Sequence, residues 1–121
     1  MFSGKKILIT GGTGSFGKNF ISFVLNKYKP KKLVIYSRDE QKQFIAQKEW
    51  KGKKFSFLRF LVGDVRDYER LSFAMSDDID IVIHAAAMKH VPIAEYNPFE
   101  AVKTNIIGAQ NVIEAAFNNN V

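Results

Sequence analysis

Four glycines lie within seven residues, directly after the first β-forming segment of the chain: Gly11, Gly12, Gly14 and Gly17. Three of them form the pattern Gly-x-Gly-x-x-Gly at the start of a helical segment. In such a turn one glycine permits a positive φ, the next lets a pyrophosphate approach the backbone, and the last lets helix and strand pack closely. The helix N-terminus adds unpaired N–H groups and a positive dipole end. This pattern predicts a dinucleotide-binding loop, and a glycine-rich turn without a ligand is the alternative.

A mononucleotide phosphate loop is the other structure that uses glycines before a helix. It requires a Gly-Lys-Ser/Thr sequence, in which the hydroxyl holds magnesium. Here the corresponding residues are Gly17, Lys18 and Asn19, which supply no hydroxyl. We therefore exclude this type of loop.

The second apolar run of the chain, Leu33–Tyr36, is followed by side chains that can select a cofactor. An acidic residue there binds the ribose 2′-OH of NAD, whereas an arginine accepts the 2′-phosphate of NADP. Ser37 and Arg38 lie nearest the strand end, and Lys42 follows one helical turn later, so that two cations can share one phosphate. Asp39 is better placed as the N-cap of the next helix. The sequence therefore predicts NADP, with a surface arginine paired to Asp39 or Glu40 as the alternative.

Two further strand ends carry candidate cofactor contacts. Asp64 and Val65 follow the third apolar run, Phe57–Val62, where a carboxylate can accept from the exocyclic amine of adenine or, equally well, cap the loop. The small residues Ala85, Ala86 and Ala87 follow the fourth apolar run, Ile79–His84, and leave room for the nicotinamide ribose. His84 points either into the core or toward the cofactor, and a structural role is favoured.

The elements that must position these residues alternate along the chain. Apolar runs suited to buried parallel strands are Ile7–Thr10, Leu33–Tyr36, Phe57–Val62 and Ile79–His84. Helical segments separate them, which gives the order βαβαβαβα. That order predicts an α/β fold, the first portion of a Rossmann-like, doubly wound parallel sheet with right-handed crossovers.

The helices differ in how clearly their apolar faces are marked. The second, from Asp39 to Trp50, is weakly patterned, and the third runs from Asp67, a candidate N-cap, to about Met75. The predicted apolar face of the first consists of Phe16, Phe20, Phe23, Val24 and Tyr28. The fourth begins with Asn97 as cap and Pro98 in the first turn, ends at Asn118-Asn119-Asn120, and carries the stripe Phe99, Val102, Ile106, Ala109, Ile113 and Phe117.

Composition narrows the function classes. The chain has 121 residues, 46% of them hydrophobic and none of them cysteine, which favours one globular domain in a reducing compartment and excludes a disulfide framework or thiolate metal site. The net charge of +6 is carried by local clusters without a recognition motif, so we do not expect nucleic acid as a partner. No apolar run approaches the roughly 20 residues that cross a bilayer, so we expect no membrane insertion.

Several of these segments together resemble a known superfamily. Thr10 to Gly17 (TGGTGSFG), Tyr36 to Glu40 (YSRDE), Gly63 to Asp67 (GDVRD) and His84 to Ala87 (HAAA) are similar to the extended short-chain dehydrogenases/reductases. Within it, the segment from Met88 to Pro98 (MKHVPIAEYNP), followed by Lys103-Thr104-Asn105, resembles the inverting UDP-N-acetylglucosamine 4,6-dehydratases and their polysaccharide-synthesis relatives. The resemblance covers the whole chain and favours the short, soluble form located in the cytoplasm.

The resemblance implies roles for individual residues. It assigns the pyrophosphate to Thr13, Gly14, Ser15 and Phe16, with Gly11 and Gly17 shaping the loop; the 2′-phosphate to Ser37, Arg38 and Lys42; adenine to Asp64 and Val65; and the central part of the cofactor to Ala85 and Ala86. It further implies that Lys89 contacts cofactor or substrate and that Asn105 helps to organise the active site. From the residues alone, Lys89 is a solvated loop lysine and Asn105 an outward-facing polar residue.

The catalytic residues of the superfamily are not among these positions. Its base is a Tyr-x-x-x-Lys pair, in which lysine lowers the pKa of the tyrosine and anchors the nicotinamide ribose. Only Tyr28 and Lys32 have this spacing, at the wrong edge of the sheet and with Pro30 between them. We therefore expect no catalytic residue within this chain and place the catalytic set downstream of Val121, where the fifth strand should begin.

Residues 1–121 are accordingly expected to be the NAD(P)-binding portion of a longer enzyme, truncated before the fifth strand and the catalytic helix, and inactive alone. For the complete enzyme, the resemblance implies a lyase with tightly held NADP and a UDP-sugar substrate, UDP-N-acetylglucosamine being favoured. Hydride leaves C4, water is eliminated across C5 and C6, and the hydride returns at C6, giving a 4-keto-6-deoxy sugar nucleotide inverted at C5. A nucleotide-sugar 4-epimerase and a non-catalytic NADP-binding module remain alternatives. Family members commonly assemble, so we expect a homo-oligomer.

Overall fold

A four-stranded parallel sheet organises the chain. The computed structural model describes residues 2–11, 15–49, 57–85 and 103–121. The strands are β1 (Lys6–Thr10), β2 (Lys32–Ser37), β3 (Leu58–Val62) and β4 (Ile81–His84), in the spatial order β3-β2-β1-β4. All four predicted strands are confirmed, with ends shifted by a residue or two.

Helices connect the strands. They are α1 (Ser15–Lys27), α2 (Glu40–Glu49), α3 (Tyr68–Met75) and α4 (Gly108–Asn118), and α4 continues from a π-helical turn, Lys103–Ile107. The chain winds outward from β1 through β2 to β3 and then returns to place β4 on the other side of β1. This reversal produces a crevice between the carboxyl ends of β1 and β4, where open α/β sheets bind their ligands.

Both faces of the sheet are covered, as the doubly wound prediction requires. Successive strand side chains point to opposite faces. On one face Ile7 and Ile9 of β1 pack in a cluster with Ile21 and Val24 of α1. The opposite face belongs to a second cluster that contains Leu8, Val34 and Tyr36 together with Leu71 and Met75 of α3 and Val112 and Ala115 of α4.

The predicted apolar face of α1 is partly wrong. Val24 is fully buried as predicted, and Phe20 and Tyr28, the latter just beyond the end of the helix, pack partly buried against the core. Phe23 is 46% exposed, and Ile21, which the prediction did not include, is fully buried. The side chain of Phe16 lies outside the described residues. Residues three apart share a helix face, and the smaller Ile21–Val24 pair fits closer to the sheet than the phenylalanines do.

The predicted stripe of α4 is also wrong about which side packs. Ile106, Ile113 and Phe117 are exposed, Phe117 by 82%, whereas Val112 and Ala115 are buried together with Gly108. Small side chains four and three residues apart let the helix approach the sheet closely, and the larger ones project from the other side. The predicted start of this helix, Asn97 to Val102, lies outside the described residues.

The predicted end of α4 is confirmed at Asn118, with Asn119 as C-cap. Asn120 follows in the left-handed region with a φ of 59°, its N–H donates to the Phe117 carbonyl at 3.2 Å, and Val121 N–H donates to the Ala116 carbonyl at 2.9 Å. These two bonds form the Schellman pattern that closes many helices. Val121 therefore completes the helix end, and the fifth strand expected to follow it remains a prediction. The position of the catalytic set downstream of Val121 remains a prediction.

Candidate functional site

The carboxyl ends of the four strands form one edge of the sheet, which we call the carboxyl edge: Thr10, Ser37, Val62 and His84. Three main-chain hydrogen bonds extend the ladder beyond the strand ends. Gly11 N–H donates to the Tyr36 carbonyl at 2.9 Å, Gly63 N–H to the Ser37 carbonyl at 2.9 Å, and Ala85 N–H to the Thr10 carbonyl at 3.0 Å. Parallel pairing of the strands therefore brings predicted site residues that are distant in sequence together at the carboxyl edge.

The glycine-rich loop leaves the carboxyl edge at Gly11. Gly11 has a φ of +73°, the left-handed region that favours glycine, and α1 begins at Ser15. Gly17 is buried within α1, consistent with close packing of this helix. Thr13 and Gly14 lie outside the described residues, as do the side chains of Ser15 and Phe16. The described part thus has the predicted turn, and the pyrophosphate contacts remain predictions.

The loop after β2 presents exposed cations. The side chain of Arg38 is 53% exposed, and Lys42 is exposed in the first turn of α2. Asp39 Oδ1 accepts from Lys42 N–H at 2.9 Å, which confirms the predicted N-cap. Ser37 is buried, and its hydroxyl oxygen accepts from Asp39 N–H at 3.3 Å. Both predicted phosphate-binding cations therefore face solvent at one end of the sheet, and their binding of a 2′-phosphate remains a prediction.

Asp64 follows β3 and is paired with an arginine. Its carboxylate accepts from Arg66 Nη2 at 2.7 Å and from Arg66 N–H at 2.9 Å, and the Arg38 guanidinium lies 3.9 Å away. Partial burial by itself raises the pKa of Asp64, but the Arg66 hydrogen bonds and the positive charges of Arg66 and Arg38 together outweigh it and hold that pKa below its ordinary value. The Val65 side chain packs in the core, so a contact from Val65 to adenine would use main-chain atoms.

At the crevice, His84 is hydrogen-bonded to β1. Its Nδ1 lies 2.7 Å from Thr10 Oγ1, and the same hydroxyl oxygen accepts from Ala85 N–H at 3.1 Å. Thr10 is fully buried. Of the two roles considered for His84, these contacts support the structural one, because the imidazole ties the ends of β1 and β4 together.

Three predicted site residues lie further along the chain. Ala86 and Lys89 are outside the described residues. Asn105 is exposed and lies within the π-helical turn that precedes α4. Such turns are rare and occur frequently at functional sites. The structure thus places Asn105 in distinctive local geometry, and its role in the active site remains a prediction.

Side chains that the sequence did not single out fix the geometry of this edge. Gln43 is almost fully buried, and its amide donates to the carbonyls of Ser37 at 3.0 Å and Leu61 at 2.8 Å. Asn111 of α4 donates to the carbonyls of Val65 at 3.0 Å and Arg66 at 3.1 Å. The sequence offered one signal for each residue: Gln43 is a polar residue in the weakly patterned α2, and Asn111 is a polar residue in the largely apolar α4.

The Tyr28 and Lys32 pair lies at the opposite edge of the sheet. Tyr28 follows the end of α1 and packs edge-on against Phe2, with ring centroids 5.2 Å apart. Lys32 begins β2, and its Nζ lies 2.6 Å from Asp77 Oδ2. The expectation that this pair lies at the wrong edge is confirmed.

Among the residues that the structure describes, there is neither a metal-binding cluster nor a membrane-spanning helix. These residues contain no cluster of histidine, aspartate and glutamate suited to a metal ion. None of their helices is long and apolar enough to span a bilayer.

The fold and the carboxyl edge define a Rossmann-type, doubly wound parallel sheet. Over 97% of its length the chain superposes on a UDP-glucose 4-epimerase from Stenotrophomonas maltophila whose structure contains bound NAD (TM-score 0.78, 24% identity, 34% of that chain). A crystal structure of Pen from Bacillus thuringiensis matches all of the chain with a TM-score of 0.93 and 50% identity, over 36% of its own length.

Sequence comparison gives the family. The chain belongs to the polysaccharide biosynthesis protein family, whose model matches residues 7–121. It is 62% identical over its full length to an inverting UDP-N-acetylglucosamine 4,6-dehydratase from Campylobacter jejuni, and 45% identical to a UDP-glucose 4-epimerase from Rickettsia prowazekii. The chain spans 35% of the length of each of these relatives.

Proposed function

We propose that this chain is the NADP-binding portion of a nucleotide-sugar 4,6-dehydratase. The complete enzyme acts on UDP-N-acetylglucosamine and gives a 4-keto-6-deoxy sugar nucleotide inverted at C5. The observation that carries the proposal is the 62% identity over all 121 residues with the Campylobacter jejuni dehydratase. A cytoplasmic homo-oligomer is part of the same proposal.

The described residues fit a dinucleotide at the carboxyl edge. Gly11 supplies the positive φ at which the chain turns away from β1 toward the N-terminus of α1, whose N–H groups suit a pyrophosphate. Arg38 extends an exposed guanidinium from the end of β2, where the adenosine ribose lies in this class of fold. The hydrogen bond between Thr10 and His84 ties the carboxyl ends of β1 and β4 together beside this crevice.

When bound, NADP would supply the hydride chemistry at C4 and C6 of the sugar. The residues of this chain bind and orient it. Arg38 and Lys42 would hold the 2′-phosphate, since guanidinium and ammonium groups form strong, charge-assisted bonds with phosphate oxygens. Asp64 and main-chain atoms of Val65 would contact adenine, and Lys89 and Asn105 would approach the substrate end. The groups that move protons belong to the catalytic Tyr-x-x-x-Lys set of the complete enzyme.

Replacing Arg38 tests whether the protein binds NADP in preference to NAD. In the full-length protein, Arg38→Ala should weaken NADP binding by about one to two decades, the equivalent of one lost charge-assisted contact, and leave NAD binding nearly unchanged. Lys31→Ala removes an exposed cation at the other end of β2 and serves as the matched control. Equal losses for NADP and NAD in Arg38→Ala would contradict the assignment.

A nucleotide-sugar 4-epimerase is the second candidate, and the 45% identity with the Rickettsia prowazekii epimerase favours it. The product separates the candidates. After incubation of the full-length protein with UDP-N-acetylglucosamine, a 4-keto-6-deoxy product supports the dehydratase, and a C4 epimer supports the epimerase. NADP binding without any turnover would instead identify a non-catalytic module.

A further inference from the structure

The carboxylate of Asp64 lies between two guanidinium groups that it engages unequally. Both of its oxygens accept from the Arg66 side chain, Oδ1 from Nε at 3.1 Å and Oδ2 from Nε at 3.0 Å and Nη2 at 2.7 Å. Arg38 Nη1 lies 3.9 Å from Oδ2, within ion-pair distance but beyond hydrogen-bond distance. Asp64 is thus chelated by Arg66 and only approached by Arg38.

Because Asp64 binds Arg66 more closely than Arg38, Arg38 is the cation that remains available to a bound phosphate. The Arg66 side chain is 30% exposed and the Arg38 side chain 53% exposed. A carboxylate that accepts a planar, two-pronged arginine has most of its lone-pair positions occupied. Asp64 therefore attracts Arg38 less strongly than a carboxylate without the Arg66 contact would.

The main chain around Arg66 is anchored independently of its side chain. The Asn111 amide donates to the carbonyls of Val65 and Arg66, and Asp67 caps α3 by accepting from Arg70 N–H at 3.1 Å. A change confined to the Arg66 side chain should therefore leave the course of this loop intact. Among the contacts given above, the one that such a change removes is the pairing with Asp64, whose nearest remaining cation among the described residues is Arg38.

We propose that Arg66 is a positioning residue that determines cofactor specificity by keeping Asp64 away from Arg38. This inference rests on the proposed function, in which Arg38 binds the 2′-phosphate of NADP. Without Arg66, Asp64 pairs with Arg38, and the carboxylate competes with the 2′-phosphate for a single guanidinium. NAD has no 2′-phosphate, so this competition does not weaken its binding, and any change in the proposed contact of Asp64 with adenine affects both cofactors and leaves their ratio unchanged.

The test measures the ratio of NADP to NAD affinity in the full-length protein by isothermal titration. Arg66→Met removes the guanidinium and retains an unbranched side chain, and it should lower this ratio about tenfold, a partial loss of one charge-assisted phosphate contact. Arg66→Lys keeps the charge but cannot form the two-pronged contact, and it should lie between wild type and Arg66→Met. Arg59→Met removes the same charge from β3 as a control and should leave the ratio unchanged.

A double-mutant cycle separates action through Asp64 from direct contact with the cofactor. In an Asp64→Asn background, Arg66→Met should no longer change the ratio, because no carboxylate is left to capture Arg38. A ratio that Arg66→Met leaves unchanged in the wild-type background overturns the inference, and so does an equal fall in the Asp64→Asn background.

Arg38→Ala, measured beside these variants, distinguishes failure of the inference about Arg66 from failure of the proposed function. If Arg38→Ala lowers the ratio and Arg66→Met does not, the inference alone is wrong. If Arg38→Ala leaves the ratio unchanged, the assigned 2′-phosphate contact is wrong, and the inference falls with it.

Discussion

The phenol of Tyr36 donates a hydrogen bond to the main-chain carbonyl of Asp64 at 2.9 Å. Tyr36 is the penultimate residue of β2 and is almost fully buried, with its ring directly against Gly63. Burial raises the pKa of Tyr36 above its ordinary value, so the phenol stays protonated and remains a donor. This contact fixes the position of Asp64 relative to the end of β2, where Arg38 begins the next loop.

The close approach of Tyr36 and Gly63 predicts that a single added methyl group is destabilising. A Cβ at residue 63 would overlap Cζ and the hydroxyl oxygen of the Tyr36 side chain. Gly63→Ala should therefore lower the free energy of unfolding by about 1–3 kcal/mol, the usual range for overpacking, measured by chemical denaturation. In a Tyr36→Leu background the same change should be much less destabilising, and an equal effect in both backgrounds would refute the steric explanation.

The buried side chain of Gln43 predicts that hydrogen bonds at the carboxyl edge also contribute to the free energy of unfolding. Its buried amide bridges the carbonyls of Ser37 and Leu61, and Gln43→Leu removes this donor from both. We expect the free energy of unfolding to fall by about 1–3 kcal/mol. Gln41→Leu, at an exposed position of the same helix, should change it by no more than about 0.5 kcal/mol. Similar effects of the two substitutions would show that the bridge contributes nothing specific.

The Thr10 and His84 contact predicts a pH dependence of stability. Partial burial lowers the pKa of His84 below its ordinary value of 6.5, so the fold favours the neutral imidazole. The unfolded chain binds a proton more readily, and His84 therefore destabilises the fold progressively as pH falls below about 6.5 and through the lower folded-state pKa. The stability of wild type relative to His84→Gln should decrease between pH 7.5 and pH 5. A difference that does not vary with pH would contradict the shifted pKa.

Tyr28 offers a prediction about the location of the chemistry. Its ring packs against Phe2 at the edge of the sheet opposite the glycine-rich loop. Tyr28→Phe keeps this ring packing, so turnover of UDP-N-acetylglucosamine by the full-length protein should be unchanged. Loss of a catalytic acid or base commonly lowers a rate by about two to four decades. A loss of that size in Tyr28→Phe would show that the carboxyl edge is not where the chemistry takes place.

The sequence alone determined the element order and most of the residues that lie at the carboxyl edge. Buried parallel strands are continuous apolar runs, and each loop after a strand has a distinctive composition, so the four strands and the positions of Gly11, Arg38 and Asp64 could be predicted. The caps at Asp39 and Asp67 were predictable for the same local reason, since an N-cap depends on residues within one helical turn.

Only the tertiary structure decided which helix faces pack and which partners the polar side chains find. In α4 the exposed Ile113 and Phe117 carry the stronger apolar signal, yet Val112 and Ala115 face the sheet, because close approach of helix to sheet favours small side chains. Contacts such as Tyr36 with Asp64 join residues 28 positions apart. Such pairs depend on strand register and on the distance between neighbouring strands, and no local pattern in the sequence encodes either quantity.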